Sequence, residues 1–174
     1  MTSPLPGRVL VAKKVRLLSV MGGHFVDPDF KEYNIETDIA SAQRLFQDWP
    51  TPIAASGFEV GIQILYPAFS ILHHFDYVHH HPVVTGYENL LEMPYDRPTW
   101  DLTSVLYAVR PDERYFDLSV PGAIQVKGDG STRFYPERDG RHRILITNEV
   151  QRARILEALI YLSSEPPGSS RNGQ

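Results

Sequence analysis

Apolar and polar positions along this chain fall into blocks with distinct periods. Val15 to Met21 (VRLLSVM) is an apolar run that ends on Gly22-Gly23. A run of that length closed by glycines predicts a buried, parallel strand followed by a tight turn. The polar stretch from His24 to Asn34 contains a proline and predicts a loop. From Ile39 the period lengthens. Ile39, Ala42, Leu45 and Phe46 share one helical face, Thr37 or Asp38 can cap the first turn, and Pro50 and Pro52 stop the helix. Pro52 to Phe58 (PIAASGF) predicts a second buried strand. Strand, helix and strand in this order make a βαβ unit, which implies a parallel sheet covered on both faces.

Gly61 to Phe75 predicts a helix kinked near Pro67. Thr99 to Arg110 predicts another helix, with Val105, Leu106 and Val109 turned inward. Beyond Pro111 the segments shorten. Tyr115–Leu118, Ala123–Lys127, Thr132–Tyr135 and Arg143–Ile146 predict strands, with turns at Gly128-Asp129-Gly130 and Asp139-Gly140. They would form an antiparallel meander appended to the parallel sheet. Asn148 caps a last helix, Glu149–Ser163, whose buried stripe would be Val150, Ala153, Leu156, Leu159 and Ile160. The class is α/β. Residues 1–165 make one domain, and 166–174 (PPGSSRNGQ) read as a disordered tail.

Composition narrows the chemistry. The 174 residues carry a net charge of −4, which argues against non-specific nucleic-acid binding. There is no cysteine, so disulfides, thiolate metal sites and thiol nucleophiles are excluded. The most apolar region, Ile53 to Phe75, is interrupted by Glu59, Gln63 and Pro67 and reads as core, not as a membrane span. The first residues lack the apolar run of a signal peptide. The expectation is a cytoplasmic protein without a membrane partner, with a homo-oligomer left open.

The loop after Met21 holds Asp27, Asp29, Glu32 and Asn34. Loops at the carboxyl ends of parallel strands are where open α/β sheets bind ligands. A carboxylate and an amide two residues apart offer acceptors and donors suited to a sugar, or simply make a solvated acidic loop. Asp101, after Trp100, is either a metal or sugar ligand beside an aromatic platform or a helix cap. Five of the seven histidines lie within residues 73–81. Their spacing does not match a zinc site, which leaves a His-rich loop or a proton donor to a leaving group.

Three segments, in order, resemble the nucleoside hydrolase family of the inosine–uridine-preferring type. VRLLSVMGG (Val15–Gly23) is similar to the family's strand and Met-Gly-Gly turn. KEYNIETDIASAQRLF (Lys31–Phe46) resembles its Ala-Glu-Phe-Asn-Ile and Asp-Pro-Glu-Ala-Ala stretch. PTWDLTSVLYAV (Pro98–Val109) resembles its Pro, His-Asp, Ala-Val stretch. The resemblance spans residues 12–163 and corresponds to the C-terminal part of the family's open, mostly parallel sheet.

The resemblance implies an N-ribosyl hydrolase in which water replaces the base of a purine or pyrimidine ribonucleoside. It also implies a calcium ion that holds the water and the ribose diol. Position by position, Met21, Glu32 and Asn34 match ribose-binding residues and Asp101 matches a calcium ligand. Trp100 stands where many members carry a histidine that acts on the leaving base. An indole cannot shuttle protons but stacks on a purine. The family's Asp-x-Asp-x-x-x-Asp-Asp cluster is absent from the chain. Asp101 alone falls far short of the roughly six to eight oxygens calcium takes, so this chain is not expected to bind calcium by itself. The expectation is a truncated nucleoside hydrolase. The alternative is a non-catalytic remnant with a ribose-like pocket and no complete calcium site.

Overall fold

The structure, a computed structural model, describes residues 6–166. Helix α1 (Gly7–Lys14) leads into strand β1 (Leu18–Met21). A loop then reaches helix α2 (Tyr33–Thr37) and helix α3 (Ile39–Asp48), which returns the chain to strand β2 (Ile53–Ser56). The Asp38 side chain accepts from the Ser41 N–H and starts α3, and Phe46 is buried on its inner face. β1 and β2 pair in parallel with Leu18 opposite Ile53 and Met21 opposite Ser56. The βαβ unit therefore forms where the apolar pattern puts it.

Next come helix α4 (Phe58–Gly61), the two-residue strand β3 (Leu65–Tyr66) and helix α5 (Ala68–His73). The single kinked helix expected over this stretch is not formed. Gly61 lies against Trp100, where an added Cβ would sit 2.4 Å from the Trp100 Cα. The chain there turns into β3 so that Leu65 and Tyr66 can pair with strand β4 (Arg97–Pro98). Pro67 begins α5 as its cap and does not kink it. Helix α6 (Pro82–Leu90) precedes β4, and helix α7 (Trp100–Val109) follows it.

The remaining elements are strands β5 (Asp117–Leu118), β6 (Gly122–Val126), β7 (Thr132–Pro136) and β8 (His142–Ile146), then helix α8 (Glu149–Ser164). The main sheet runs β1-β2-β8-β6-β7, with β5 paired to β8. β8 is parallel to β2 and antiparallel to β6 and β5. The class is α/β as expected, with a parallel heart, β1-β2-β8. The antiparallel strands are not in meander order. Only β6 and β7 form the hairpin that the Gly128-Asp129-Gly130 turn signals. β8 crosses back to pair with β2, whose residues 53–56 are all buried and need a second strand beside them.

Side chains of β2 alternate between two cores. Ala54 joins Leu106, Phe75, Leu145 and Ile155 on one face, while Ile53 and Ala55 join Phe46, Ile35 and Val126 on the other. The inward residues of α7 are Thr103, Ser104 and Leu106, and Val105 and Val109 are more than half exposed. Two small polar residues can face inward because their groups are paired. Thr103 Oγ1 lies 2.6 Å from Ser56 Oγ, and Ser19 Oγ donates to the Ser104 carbonyl. In α8 the buried line is Gln151, Ile155 and Leu159, and Val150 is exposed. Gln151 completes a capping box with Asn148, and Leu159 is the one residue common to the expected stripe and the buried line. Residues 167–174 of the expected tail lie outside the described residues. No helix of the described residues is long and apolar enough to cross a membrane.

Candidate active site

The parallel strands β1 and β2 end side by side at Met21 and Ser56. The loop leaving β1 is held from several directions. Gly23 has φ +85°, a left-handed turn in which glycine carries no penalty. The His24 N–H donates to Thr132 Oγ1, and that hydroxyl donates back to the His24 carbonyl. The loop then delivers Glu32 to the start of α2. Glu32 is 3% exposed, and its carboxylate accepts from the backbone N–H groups of Gly23, Asn34 and Ile35. It is a helix N-cap, not a solvated loop acid. Two of these bonds fall on Oε2 and one on Oε1, so the carboxylate keeps room on Oε1 for a further donor. Asn34 lies at the helix start, and its amide donates to Met21 Sδ at 3.1 Å.

The opposite wall comes from the β4–α7 junction. Thr99 occupies the cap position of α7, with its N–H donating to the Gly61 and Ile64 carbonyls. Trp100 and Asp101 follow in the first turn. Asp101 is exposed and is not the cap. The absence of a side chain at Gly61 lets Trp100 sit close to α4, and its ring lies 5.4 Å from that of Phe58. The indole Nε1–H of Trp100 and the hydroxyl of Thr99 are buried without a hydrogen-bond partner.

These walls enclose one cavity of about 320 Å³. Met21, Glu32, Asn34, Trp100 and Asp101 all line it, so the five residues singled out in the sequence meet in one place. Three more line it that the sequence did not point to: Tyr33, Phe58 and Arg97. No local pattern marks them, since each comes from a different element and meets the others only in the folded chain. The cavity lining combines an amide, the carboxylates of Glu32 and Asp101, the aromatic rings of Phe58 and Trp100, and Arg97. Such a lining suits a ligand with a hydroxylated part and a flat part.

Beside the cavity lies a second feature missed in the sequence. The His24 ring is 4.7 Å from Phe30 and 5.9 Å from Phe58. Its Nδ1 accepts from the Asp27 N–H and lies 3.9 Å from Glu59 Oε2. Burial pushes the Glu59 carboxyl above its ordinary range, an effect opposed by its own N–H, by His24 and by the Phe25 N–H.

The residues present do not fit a calcium ion. Among the described residues no group of three or more His, Asp or Glu side chains is placed to hold a metal. At the cavity Glu32 is engaged by three N–H groups, which leaves Asp101 as the uncommitted carboxylate. The histidine cluster has other partners. His81 Nδ1 accepts from the Val83 N–H at the start of α6, its Nε2 meets the Tyr77 hydroxyl, and His74 Nδ1 meets the Ser70 hydroxyl.

No family model matches the chain, and no curated protein matches it in sequence. Solved structures do match it in fold. A plant nucleoside hydrolase superposes with a TM-score of 0.63 at 19% identity, over 91% of this chain and 58% of its own. An inosine–guanosine nucleoside hydrolase gives 0.58 at 15% identity, over 79% of this chain and 49% of its own. An inosine–uridine-preferring nucleoside hydrolase from Bacillus anthracis gives 0.51 at 14% identity, over 87% and 53%. The chain has the nucleoside hydrolase fold and spans about half the length of these structures.

Proposed function

We propose that this chain binds a ribonucleoside in the 320 Å³ cavity and supplies the substrate-recognition side of an N-ribosyl hydrolase. The observation that carries the reading is the convergence of Met21, Glu32, Asn34, Trp100 and Asp101 on one cavity at the carboxyl ends of β1 and β2. In this reading the ribose lies at the Met21 end. The Asn34 amide can both donate to and accept from sugar hydroxyls, and Glu32 Oε1 can take one more hydroxyl proton. The base lies against Trp100 and Phe58.

In the hydrolysis a water oxygen bonds to C1′ of the ribose. The C1′–N bond breaks and its electron pair passes to the base, while the water gives up a proton and the departing base takes one. Stacking on the indole stabilises the base, and any part of that stabilisation that grows as charge builds on the ring favours bond breaking. Calcium could be held only with oxygens from beyond the described residues, and no step is assigned to it. Hydrolysis then depends on groups that the described residues do not include.

The test is a titration of the folded chain with inosine, read by Trp100 fluorescence in a Trp49→Phe background. A saturable change that Asn34→Ala weakens is expected. Absence of saturable binding to inosine and uridine alike would overturn the reading. In the same samples no hypoxanthine release above background is expected, with or without calcium. Release that calcium stimulates and Asp101→Ala abolishes would show a complete reaction centre in this chain.

A further inference from the structure

A second cavity, of about 300 Å³, shares Arg97, Trp100 and Asp101 with the first. Its volume is at the small end for ligand pockets. Much of its lining is apolar. Ile71 and Phe75 are buried and belong to the core, and Val83 of α6 and Leu102 of α7 add to them. Its polar groups divide into committed and free. The Tyr66 hydroxyl meets the hydroxyls of Ser70 and Ser163. The Tyr87 carbonyl accepts from the Tyr95 hydroxyl, whereas the Tyr87 hydroxyl has no partner among the described residues. The half-buried Arg97 side chain also forms no ion pair or hydrogen bond with the described residues. Its backbone is fixed, since Arg97 pairs with Tyr66 across β3 and β4 and the preceding Asp96 carboxylate accepts from the Ala68 N–H. The Arg97 charge acts at Tyr87. Burial pushes the Tyr87 phenol above its ordinary value, the Arg97 charge opposes that shift, and Tyr66, Tyr95 and Asp96 add to it. The phenol therefore keeps its proton at neutral pH and can donate it to a ligand.

We infer that this second cavity is a binding site for a small monocarboxylate with a compact apolar body. A carboxylate has two acceptor oxygens in one plane, which matches the guanidinium fork of Arg97, and one of them can also accept from the Tyr87 hydroxyl. The apolar body, of the size of a phenyl ring, fits between the aromatic and aliphatic side chains. A phosphate monoester suits the cavity less well, because its second charge and third oxygen find no further free cation there. Asp101 is the carboxylate of the lining, but it is exposed, where solvent screens its charge. The inference stands apart from nucleoside binding, since Glu32 and Asn34 do not line this cavity.

The experiment measures Kd by calorimetry on the whole chain at neutral pH, with benzoate as the probe and benzamide, benzylamine and phenyl phosphate as comparisons. Benzoate should bind saturably and tighter than the other three. Arg97→Gln should weaken benzoate about ten- to a hundredfold, the range for loss of a charged hydrogen-bond partner. Tyr87→Phe should weaken it about two- to tenfold. Because neither group has a partner in the fold, melting temperature should change little in either variant. If Arg97→Gln does not fold, Tyr87→Phe and the comparison with benzamide decide. Benzoate should still bind when inosine is present at saturation. Absence of saturable benzoate binding overturns the inference, as does equal affinity for benzamide, tighter binding of phenyl phosphate, or unchanged affinity in folded Arg97→Gln. Strict competition between benzoate and inosine also overturns it, by placing both in the first cavity, while leaving nucleoside binding intact. Benzoate binding without any inosine binding would overturn the nucleoside reading alone.

Discussion

Glu32 shows how one residue can answer two demands. Its carboxylate closes the first turn of α2 and faces the cavity at the same time. Glu32→Ala removes a helix cap and strands buried N–H groups of Gly23 and Ile35. The expected loss is about 2–4 kcal/mol of stability, measured by urea denaturation. Two titrating groups add pH dependence of opposite sign. Burial holds the His142 imidazole below its ordinary value, and its Nδ1 accepts from the Ile124 N–H at 2.9 Å. Its folded-state value is depressed, so its contribution is present above the ordinary histidine range and is lost as pH falls through the lowered value. Glu59 behaves in the other sense. Its raised carboxyl contributes stability below the ordinary carboxylate range and loses it as pH rises through the raised value. Melting temperature of Glu59→Gln should therefore lose less, or gain more, than that of the parent chain as pH rises from weakly acidic to neutral. An unchanged profile would mean that Glu59 ionises in the fold without penalty.

Elements bring these residues together, and element boundaries were legible to different degrees. The caps Asp38 and Asn148 were readable because a cap is a local event between residues three apart. Asn148→Ala is expected to cost about 1 kcal/mol. Ile155→Ala, at the fully buried centre of α8, is expected to cost about 2–5 kcal/mol. The inward face of α7 was misread because Thr103 and Ser104 look like surface residues until Ser56 and Ser19 are opposite them. The segment from Gly61 to Phe75 was misread as one helix because the reason for its break is the approach of Trp100, distant in sequence. That contact is testable. Gly61→Ala should push the indole from its seat, lowering both melting temperature and inosine affinity. If stability falls while affinity holds, the Gly61–Trp100 contact serves packing alone.

At the scale of the molecule, the arrangement of the site was more readable than its full membership. Three segments in order named five lining residues, because each lies at a strand end or a helix start where the chain punctuation is strong. Phe58, Tyr33 and Arg97 had no such signal. Phe58 follows a strand whose apolar run continues into it, and Arg97 sits in a two-residue strand too short to have a pattern. The order of the sheet was legible only at its start. The place of β8 beside β2 follows from long-range pairing that no window of sequence contains.

β1 ends the main sheet, with β2 as its partner on one side among the described residues. The last residue of that strand, Met21, is also the one whose sulfur accepts from Asn34 at the cavity. Edge and binding pocket thus share an atom's environment. Anything that hydrogen-bonds along the open side of β1 would also restrain Met21, and thermodynamic reciprocity would then apply. A nucleoside that tightened such a pairing by some factor would itself be held tighter by the same factor. Affinity would then vary with protein concentration, and sedimentation in the presence and absence of inosine would report the coupling from the other end. An affinity that stays constant while the chain self-associates would place that association away from β1.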